Sequence, residues 1–140
     1  MDDRERALNI LLVDDDEVDV MTVRRAFQKA NITNPLYVAR NGVEALALLR
    51  GGAIPLQRRI VLLDLNMPRM NGIEFLREVR SDPELQAITV IVLTTSNEDK
   101  DRVDAYQYGV AGYLVKPVTF ATFAEVMATL NKYWTLQELP

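Results

Sequence analysis

Five short apolar segments alternate along the chain with longer segments in which apolar residues recur at helical spacing. The short segments are rich in leucine and β-branched residues, which favours β-strands. They cover residues 10–13, 36–39, 60–63, 89–93 and 113–115. The longer segments carry stripes of the kind found in amphipathic helices: Val20, Val23, Phe27 and Ala30; Ile73, Leu76 and Val79; and Phe120, Phe123, Met127, Leu130 and Trp134. The pattern therefore predicts strands that alternate with helices.

The predicted strands are apolar on both faces, which indicates a parallel sheet covered by helices on both sides and joined by right-handed crossovers. We therefore predict an α/β fold with a doubly wound five-stranded parallel sheet. Asn41 and Gly42 are typical of a hairpin turn, but residues 43–49 are strongly helical, so we interpret Asn41 as a helix N-cap. Since 49% of the residues are hydrophobic, the chain can bury an ordinary core. We expect a single domain over residues 1–140, with a core of about residues 8–134 and a short tail at 135–140.

The composition excludes several kinds of chemistry. The chain has no cysteine and no histidine, which removes thiol nucleophiles, the usual zinc sites and histidine general bases. Its formal charge of −4 argues against a surface that binds nucleic acid. The charged residues 1–6 do not resemble a signal peptide, and the longest apolar runs are too short to span a bilayer. We therefore expect a cytoplasmic protein that contacts neither membrane nor nucleic acid.

Polar side chains follow four of the five predicted strands, at the edge of the sheet where open parallel sheets bind ligands. They are Asp14, Asp15 and Asp16 after the first strand, Asp64 after the third, Thr94, Thr95 and Ser96 after the fourth, and Lys116 after the fifth. Packed carboxylates repel one another, and a hard divalent cation such as Mg²⁺ relieves that repulsion. One aspartate would remain available as a nucleophile toward a phosphoryl group, whose oxygens Lys116 and Thr94 could stabilise.

Four sequence motifs give these residues a family resemblance. They are ILLVDD at 10–15, LDLNMP at 63–68 followed by Asn71 and Gly72, VLTT at 92–95, and GYLVKP at 112–117. In order and spacing the chain resembles the response-regulator receiver domains of two-component signalling over nearly its whole length. The resemblance implies a flavodoxin-like sheet with strand order 2-1-3-4-5. A looser resemblance, carried by residues 17–20, 24–27 and 132–134, is to the stand-alone regulators that accompany bacterial phytochromes.

Carried over position by position, the resemblance implies an aspartate phosphorylation site. Asp64 would be the phosphorylated residue. Asp15, Asp64 and the backbone carbonyl of Asn66 would bind Mg²⁺, and Asp14 would assist through a water molecule. An alternative for residues 14–17 is an acidic helix start favoured by the helix dipole, and Asp16 by itself is best explained as an N-cap.

The resemblance also assigns a switch to three further residues. Thr94 would bind a phosphoryl oxygen and move toward it, Lys116 would pair with the phosphoryl group, and Tyr113 would change rotamer. The alternative for Tyr113 is an ordinary strand aromatic. Because the chain lacks histidine, its phosphoryl donor would be another molecule: a sensor histidine kinase, a histidine phosphotransfer protein or a small phosphodonor. We expect a phosphoacceptor that catalyses its own phosphotransfer and dephosphorylation, and not a turnover enzyme.

Three other functions fit parts of the sequence. Asp14-x-Asp16 matches the nucleophile motif of haloacid-dehalogenase-like phosphatases, but these need an acidic pair after the lysine. Only Glu125 and Glu138 follow Lys116, and neither is at a strand end. A flavodoxin-like electron carrier would present hydroxyls and amides to a flavin phosphate in its first loop, where this chain has aspartates. A binding module that has lost phosphorylation is the remaining alternative, although every expected site residue is present.

The last two helices have features of an interaction surface. The helix predicted at residues 99–108 has few apolar positions, which is typical of a solvated face or of a weakly anchored, movable helix. The end of the chain carries Val126, Tyr133, Leu136 and Leu139 outside the core stripe. We predict a homodimer through the fourth helix, fifth strand and last helix, and the alternative is a tail that folds onto its own domain.

Overall fold

The computed structural model describes residues 8–116 and 120–136. The strands in these residues are β1 (Asn9–Val13), β2 (Leu36–Ala39), β3 (Arg59–Leu63), β4 (Thr89–Thr94) and β5 (Gly112–Val115). The helices are α1 (Glu17–Lys29), α2 (Gly42–Arg50), α3 (Gly72–Ser81), α4 (Asp99–Gln107) and α5 (Phe120–Thr135). The predicted core positions Phe120, Phe123 and Trp134 are described in backbone only, and Leu139 of the tail lies outside the described residues.

All five strands pair in parallel, in the order β2-β1-β3-β4-β5. This result confirms the predicted doubly wound α/β fold and its strand order 2-1-3-4-5. Strands β1 and β3 are neighbours, and Val13 at the end of β1 is paired with Leu63 at the end of β3. Asp14 and Asp64, each one residue further along, are therefore brought side by side by the register of the sheet.

Helices cover both faces of the sheet. Successive strand residues point to opposite faces, so Leu11 and Val13 of β1 belong to one core, and Ile10 and Leu12 belong to the other. The first core is closed by residues of α2, α3 and α4, and the second by residues of α1 and α5. In the described part of the chain, no helix is both long and apolar enough to cross a membrane.

Two predicted N-caps begin helices next to the rim of the sheet. The side chain of Asn41 accepts a hydrogen bond from the backbone N–H of Glu44 at 2.9 Å, which confirms a helix start in place of a hairpin turn. The side chain of Asp16 accepts hydrogen bonds from the backbone N–H groups of Val18 at 2.8 Å and Asp19 at 3.4 Å. These bonds satisfy donors that the first helical turn leaves without partners. The cap prediction for Asp16 is confirmed.

Helix α4 is weakly anchored along its length and firmly anchored at its end. Within α4, Ala105 is the buried residue, and Val103 and Tyr106 are exposed. The end of the helix is fixed by Arg80 of α3, whose guanidinium donates hydrogen bonds to four backbone carbonyls. These carbonyls belong to Tyr108 at 2.5 Å, Ile88 at 2.7 Å, Gln86 at 2.9 Å and Gly109 at 3.2 Å. Arg80 therefore connects the C-terminal ends of α3 and α4 to the start of β4.

Candidate functional site

Three carboxylates meet at the carboxyl ends of β1 and β3. The backbone N–H of Asp64 donates to the carbonyl of Val13 at 2.9 Å, which extends the pairing of the two strands by one residue. The side chains of Asp14 and Asp64 are almost fully buried, and that of Asp15 is exposed. One oxygen from each of Asp14, Asp15 and Asp64 lies within 4.8 Å of the others. The rim thus holds three acidic groups in close proximity.

Burial disfavours the charge on two of these carboxyls. Burial raises the pKa of Asp14 to about 6, against the opposing effects of a hydrogen bond from the Asp16 N–H and of the nearby Lys116 ammonium. Burial likewise raises the pKa of Asp64 above its ordinary value. The charge of Lys116, the backbone N–H of Asn66 at 3.2 Å and a hydrogen bond with Thr94 act in the opposite direction. The site therefore gains stability from anything that neutralises negative charge.

Lys116 is the cation that faces this cluster. Its backbone N–H donates to the carbonyl of Thr94 at 2.7 Å, which sets its position just beyond β5. Its ammonium donates to Asp14 Oδ2 at 3.0 Å and to Asp19 Oδ2 at 2.6 Å. Burial alone would lower the pKa of Lys116, but the hydrogen bond to Asp19 and the charge of Asp14 outweigh burial and raise that pKa. Lys116 is therefore held as a cation.

Sequence analysis missed Asp19. The residue lies in the first turn of α1, where an acidic side chain is also favoured by the helix dipole. A signal was available in its position three residues after the predicted cap Asp16, within the first helical turn. The local sequence does not identify Lys116 as the partner of Asp19, because the two residues lie 97 positions apart.

Thr94 and Asn66 border Asp64 on the side of β4. Thr94 is fully buried, and its hydroxyl oxygen accepts a hydrogen bond from the backbone N–H of Ser96 at 3.3 Å. The Asn66 side-chain amide donates to the same hydroxyl oxygen at 3.5 Å and to Thr95 Oγ1 at 3.4 Å. A hydroxyl that is bonded to Asp64 and to the following loop can respond to a change at Asp64.

Tyr113 of β5 is joined to that loop. Its hydroxyl donates to the backbone carbonyl of Ser96 at 2.9 Å. Its ring lies 6.5 Å from the ring of Tyr106 and 5.7 Å from the guanidinium carbon of Arg102, both in α4. The Ser96 hydroxyl donates to Asp101 at 2.5 Å. The loop after β4 therefore connects Thr94 to Tyr113 and to the beginning of α4.

The donor set suits a hard divalent cation. Asp14, Asp15 and Asp64 offer carboxylate oxygens without nitrogen or sulfur ligands, which is the preference of Mg²⁺ and similar ions. The pKa values of Asp14 and Asp64 are raised mainly by burial and to a lesser extent by repulsion between carboxylates, and a cation would offset the cost of both. The residues therefore fit the metal that the sequence predicts, and the individual ligand assignments stay predictions.

The sequence matches the profile of the response regulator receiver domain over residues 10–128. The match covers most of the chain and includes every predicted site residue, and the chain belongs to this family. Receiver domains bind a divalent metal and interact with histidine kinases or phosphotransfer proteins. The resemblance stated from the motifs is thereby confirmed, and the phosphatase and electron-carrier alternatives are set aside.

Several characterised relatives are similar over nearly their full length. A probable methanogenesis regulatory protein, FilR2 of Methanothrix harundinacea, is 39% identical over 89% of this chain and 82% of its own. The solved structure of the phosphorylated cyanobacterial phytochrome response regulator RcpA is 30% identical, with a TM-score of 0.83 over 96% of this chain and 99% of its own. The Mn²⁺-bound form of response regulator Rcp1, a Synechocystis protein, is 32% identical, with a TM-score of 0.78 over 95% and 99% of the two chains.

The structure brings the predicted site residues together. Asp14, Asp15 and Asp64 form the cluster, Lys116 is bonded to it, and Thr94 borders it. Tyr113 lies outside the cluster and reaches it through the loop after β4. The roles assigned to these side chains, including phosphorylation of Asp64, stay predictions at this point.

Proposed function

We propose that Asp64 accepts a phosphoryl group from a sensor histidine kinase or a histidine phosphotransfer protein in a Mg²⁺-dependent reaction, and that the protein then signals through contacts with other proteins. One observation carries this proposal. Asp64 lies within a group of oxygen ligands suited to a cation, beside the Lys116 ammonium and the Thr94 hydroxyl. These groups are the ones that a transferring phosphoryl group requires.

The reaction follows from the placement of these groups. A carboxylate oxygen of Asp64 attacks the phosphorus of a phosphohistidine, so an O–P bond forms and the N–P bond breaks. The imidazole leaves with the electron pair of that bond and takes up a proton from solvent. Lys116 supplies positive charge to the phosphoryl oxygens, and the Thr94 hydroxyl donates a hydrogen bond to one of them.

The metal ligands proposed are Asp15, Asp64 and the backbone carbonyl of Asn66, with Asp14 acting through water. When bound, Mg²⁺ supplies positive charge to the phosphoryl oxygens and offsets the repulsion among the carboxylates. The exposed position of Asp15 supports its direct role, since an exposed carboxylate can bind the ion from solvent.

The switch proposed runs from Thr94 to Tyr113. The Thr94 hydroxyl oxygen accepts from the Ser96 N–H, and the Ser96 carbonyl accepts from the Tyr113 hydroxyl. A Thr94 side chain that turns toward a phosphoryl oxygen gives up its bond to Ser96, so the loop and Tyr113 rearrange together. We propose a change of the Tyr113 rotamer as the outcome.

The proposal is tested by intact-protein mass spectrometry after incubation with a small acyl phosphate, with and without Mg²⁺. One phosphoryl adduct is expected on the normal protein, dependent on Mg²⁺ and absent from Asp64→Asn. Asp16→Asn is the matched control, because it removes an aspartate from the same rim while leaving a side chain that caps a helix. Equal phosphorylation of the Asp64→Asn protein would refute the assignment.

We further propose that the donor is a phytochrome-type sensor kinase and that the protein acts in the cytoplasm. The similarity to RcpA, a cyanobacterial phytochrome response regulator, supports this choice of donor. The chain would act as a phosphoacceptor that also catalyses its own dephosphorylation. Phosphotransfer from a purified phytochrome kinase would be compared under red and far-red light, and transfer at the same rate under both would contradict the proposal.

A homodimer through α4, β5 and α5 is also proposed. The exposed apolar residues on these elements and just after them support it: Val103, Tyr106, Val115, Tyr133 and Leu136. Exposed apolar residues gathered on neighbouring elements are typical of an interface between protein chains. Light scattering after size exclusion should show a dimer that Val103→Glu weakens, and Val43→Glu on α2 should leave it unchanged. A normal protein that is monomeric at every concentration tested would refute the dimer.

A further inference from the structure

We propose that Asp19 is a positioning residue that restrains the Lys116 ammonium before phosphorylation and competes for it with the phosphoryl group. The proposal rests on the proposed function of Asp64 as phosphoacceptor. It concerns a side chain outside the carboxylate cluster, contributed by α1.

The Lys116 ammonium is hydrogen-bonded to two carboxylates. Lys116 Nζ lies 2.6 Å from Asp19 Oδ2 and 3.0 Å from Asp14 Oδ2. Among the hydrogen bonds of the described residues, none joins Lys116 to Asp64, which acts on the ammonium through its charge alone. An ammonium has three N–H donors, so the two contacts leave one donor for a third acceptor. The shorter of the two contacts is the one to Asp19.

The two carboxylate partners of Lys116 differ in their other contacts. Asp14 belongs to the carboxylate cluster, and its Oδ1 also accepts the Asp16 N–H at 2.9 Å. Asp19 is a residue of the first turn of α1, and its own backbone N–H is bonded to the cap residue Asp16. The helix therefore fixes the backbone of Asp19, and its carboxylate reaches Lys116 from outside the cluster.

A phosphoryl group on Asp64 adds negative charge and acceptor oxygens on the other side of Lys116. The ammonium is then attracted both to these oxygens and to Asp19. Neutralising Asp19 removes the attraction that opposes the phosphoryl group, so the phosphorylated state is stabilised relative to the unmodified state. Because the Asp19 side chain is about one-third exposed, solvent screens part of its attraction for Lys116. We therefore expect its removal to change the affinity for a phosphoryl analogue by about threefold to tenfold.

The probe is beryllofluoride, which binds an aspartate carboxylate in the presence of Mg²⁺ as a stable analogue of the phosphoryl group. Its affinity would be measured by ¹⁹F NMR titration. Asp19→Asn should bind beryllofluoride about threefold to tenfold more tightly than the normal protein, and Asp19→Glu, which keeps the charge, should restore the affinity toward normal. The matched control is Glu17→Gln, which removes the same charge from the same helical turn. The Glu17 carboxylate pairs with Arg40 at 2.6 Å instead of with Lys116.

A double-mutant cycle shows whether Asp19 acts through Lys116. In a Lys116→Met background, Asp19→Asn should leave the beryllofluoride affinity unchanged, because no ammonium remains to be shared. A role of Asp19 in the stability of α1 alone would give the same change in both backgrounds. Circular dichroism of each variant verifies that the fold is retained.

The outcomes separate the inference from the function on which it rests. If the normal protein shows no Mg²⁺-dependent binding of beryllofluoride, the proposed function fails, and the inference fails with it. If the normal protein binds and Asp19→Asn binds equally or more weakly, the inference is wrong and the proposed function stands. A gain that persists in the Lys116→Met background would also overturn the inference.

Discussion

Replacing Asp14 with asparagine should stabilise the metal-free protein at neutral pH. The side chain is 1% exposed, and burial raises its pKa from 3.8 to about 6. One pKa unit corresponds to about 1.36 kcal/mol, so the ionised carboxyl costs the folded state about 3 kcal/mol at pH 7. Asparagine removes the charge and keeps one oxygen, which can accept the bond from Asp16, while the bond from Lys116 to the second carboxylate oxygen is lost. That loss costs about 1–2 kcal/mol, so the net gain in stability at pH 7 should be about 1–2 kcal/mol.

The expected gain depends on pH. The folded protein holds the Asp14 proton more tightly than the unfolded chain does, so this group lowers stability progressively as pH rises between the two pKa values. Its full cost is present above pH 6 and falls to about 1 kcal/mol at pH 4.5. The advantage of Asp14→Asn should therefore fall by about 2 kcal/mol between pH 7 and pH 4.5, where the lost bond to Lys116 leaves no net gain. The raised pKa of Asp64 adds a pH dependence of the same direction, which the variant retains.

The free energy of unfolding would be measured with urea, followed by circular dichroism, at both pH values in the presence of a chelator and at constant ionic strength. Asp15→Asn is the control, because it removes a charge from the same cluster at an exposed position. We expect its gain to be smaller and less dependent on pH. The reasoning would be refuted if the Asp14→Asn protein were less stable than the normal protein at pH 7. It would also be refuted if the difference in unfolding free energy between the two proteins were the same at both pH values.

Three further predictions concern the metal and the fold around the site. Mg²⁺ should raise the Tm at pH 7.5 and much less at pH 5, because protons compete for the buried carboxyls; equal shifts in a thermal melt at both pH values would contradict this. Arg80→Met keeps the aliphatic stem and removes the donors to four carbonyls. The free energy of urea unfolding should therefore fall by about 2–4 kcal/mol, and an unchanged stability would disprove the role of Arg80 in connecting α3 and α4 to β4. Gly72→Ala should lower stability and slow phosphorylation of Asp64 in the mass assay, because its Cβ would lie 2.7 Å from the Asp64 carbonyl oxygen and from Leu65 Cα. Gly112→Ala, whose Cβ would have its nearest neighbour at 3.7 Å, should have the milder effect on phosphorylation, and the reverse order would reject the explanation.

The fold could be predicted because its strands are apolar on both faces and its helices carry regular stripes. Observed and predicted strands agree closely, and the structure adds Asn9, Arg59, Thr94 and Gly112 at their ends. Periodicity places the centre of a strand well and its ends poorly, since end residues are decided by pairing across the sheet. Thr94 is an example, because it is paired with Val115 of β5.

The candidate site could be predicted in part. Residues that directly follow the strands of a parallel sheet lie along the same edge of that sheet, which is why Asp14, Asp64 and Lys116 were found. Asp19 and Arg80 were missed for a physical reason. Each acts through a partner whose position depends on the assembled fold: a lysine 97 residues away for Asp19, and loop carbonyls for Arg80. Sequence patterns predict the faces and ends of single helices and strands, whereas these two contacts depend on the distances between such elements.

The bonds of Lys116 have a consequence for how the protein is made. Its two carboxylate partners precede it by 102 and 97 residues, so the ribosome releases the first strand, the acidic residues and Asp64 well before the lysine. Contacts of such long range carry a large loop-closure cost, which is offset only when the strands and helices between their two ends have folded. A nascent chain or fragment that ends before β5 contains Asp64 but lacks Lys116. Under the proposed function such a chain should take up a phosphoryl group poorly, and we expect efficient uptake only when synthesis and folding of the sheet are complete.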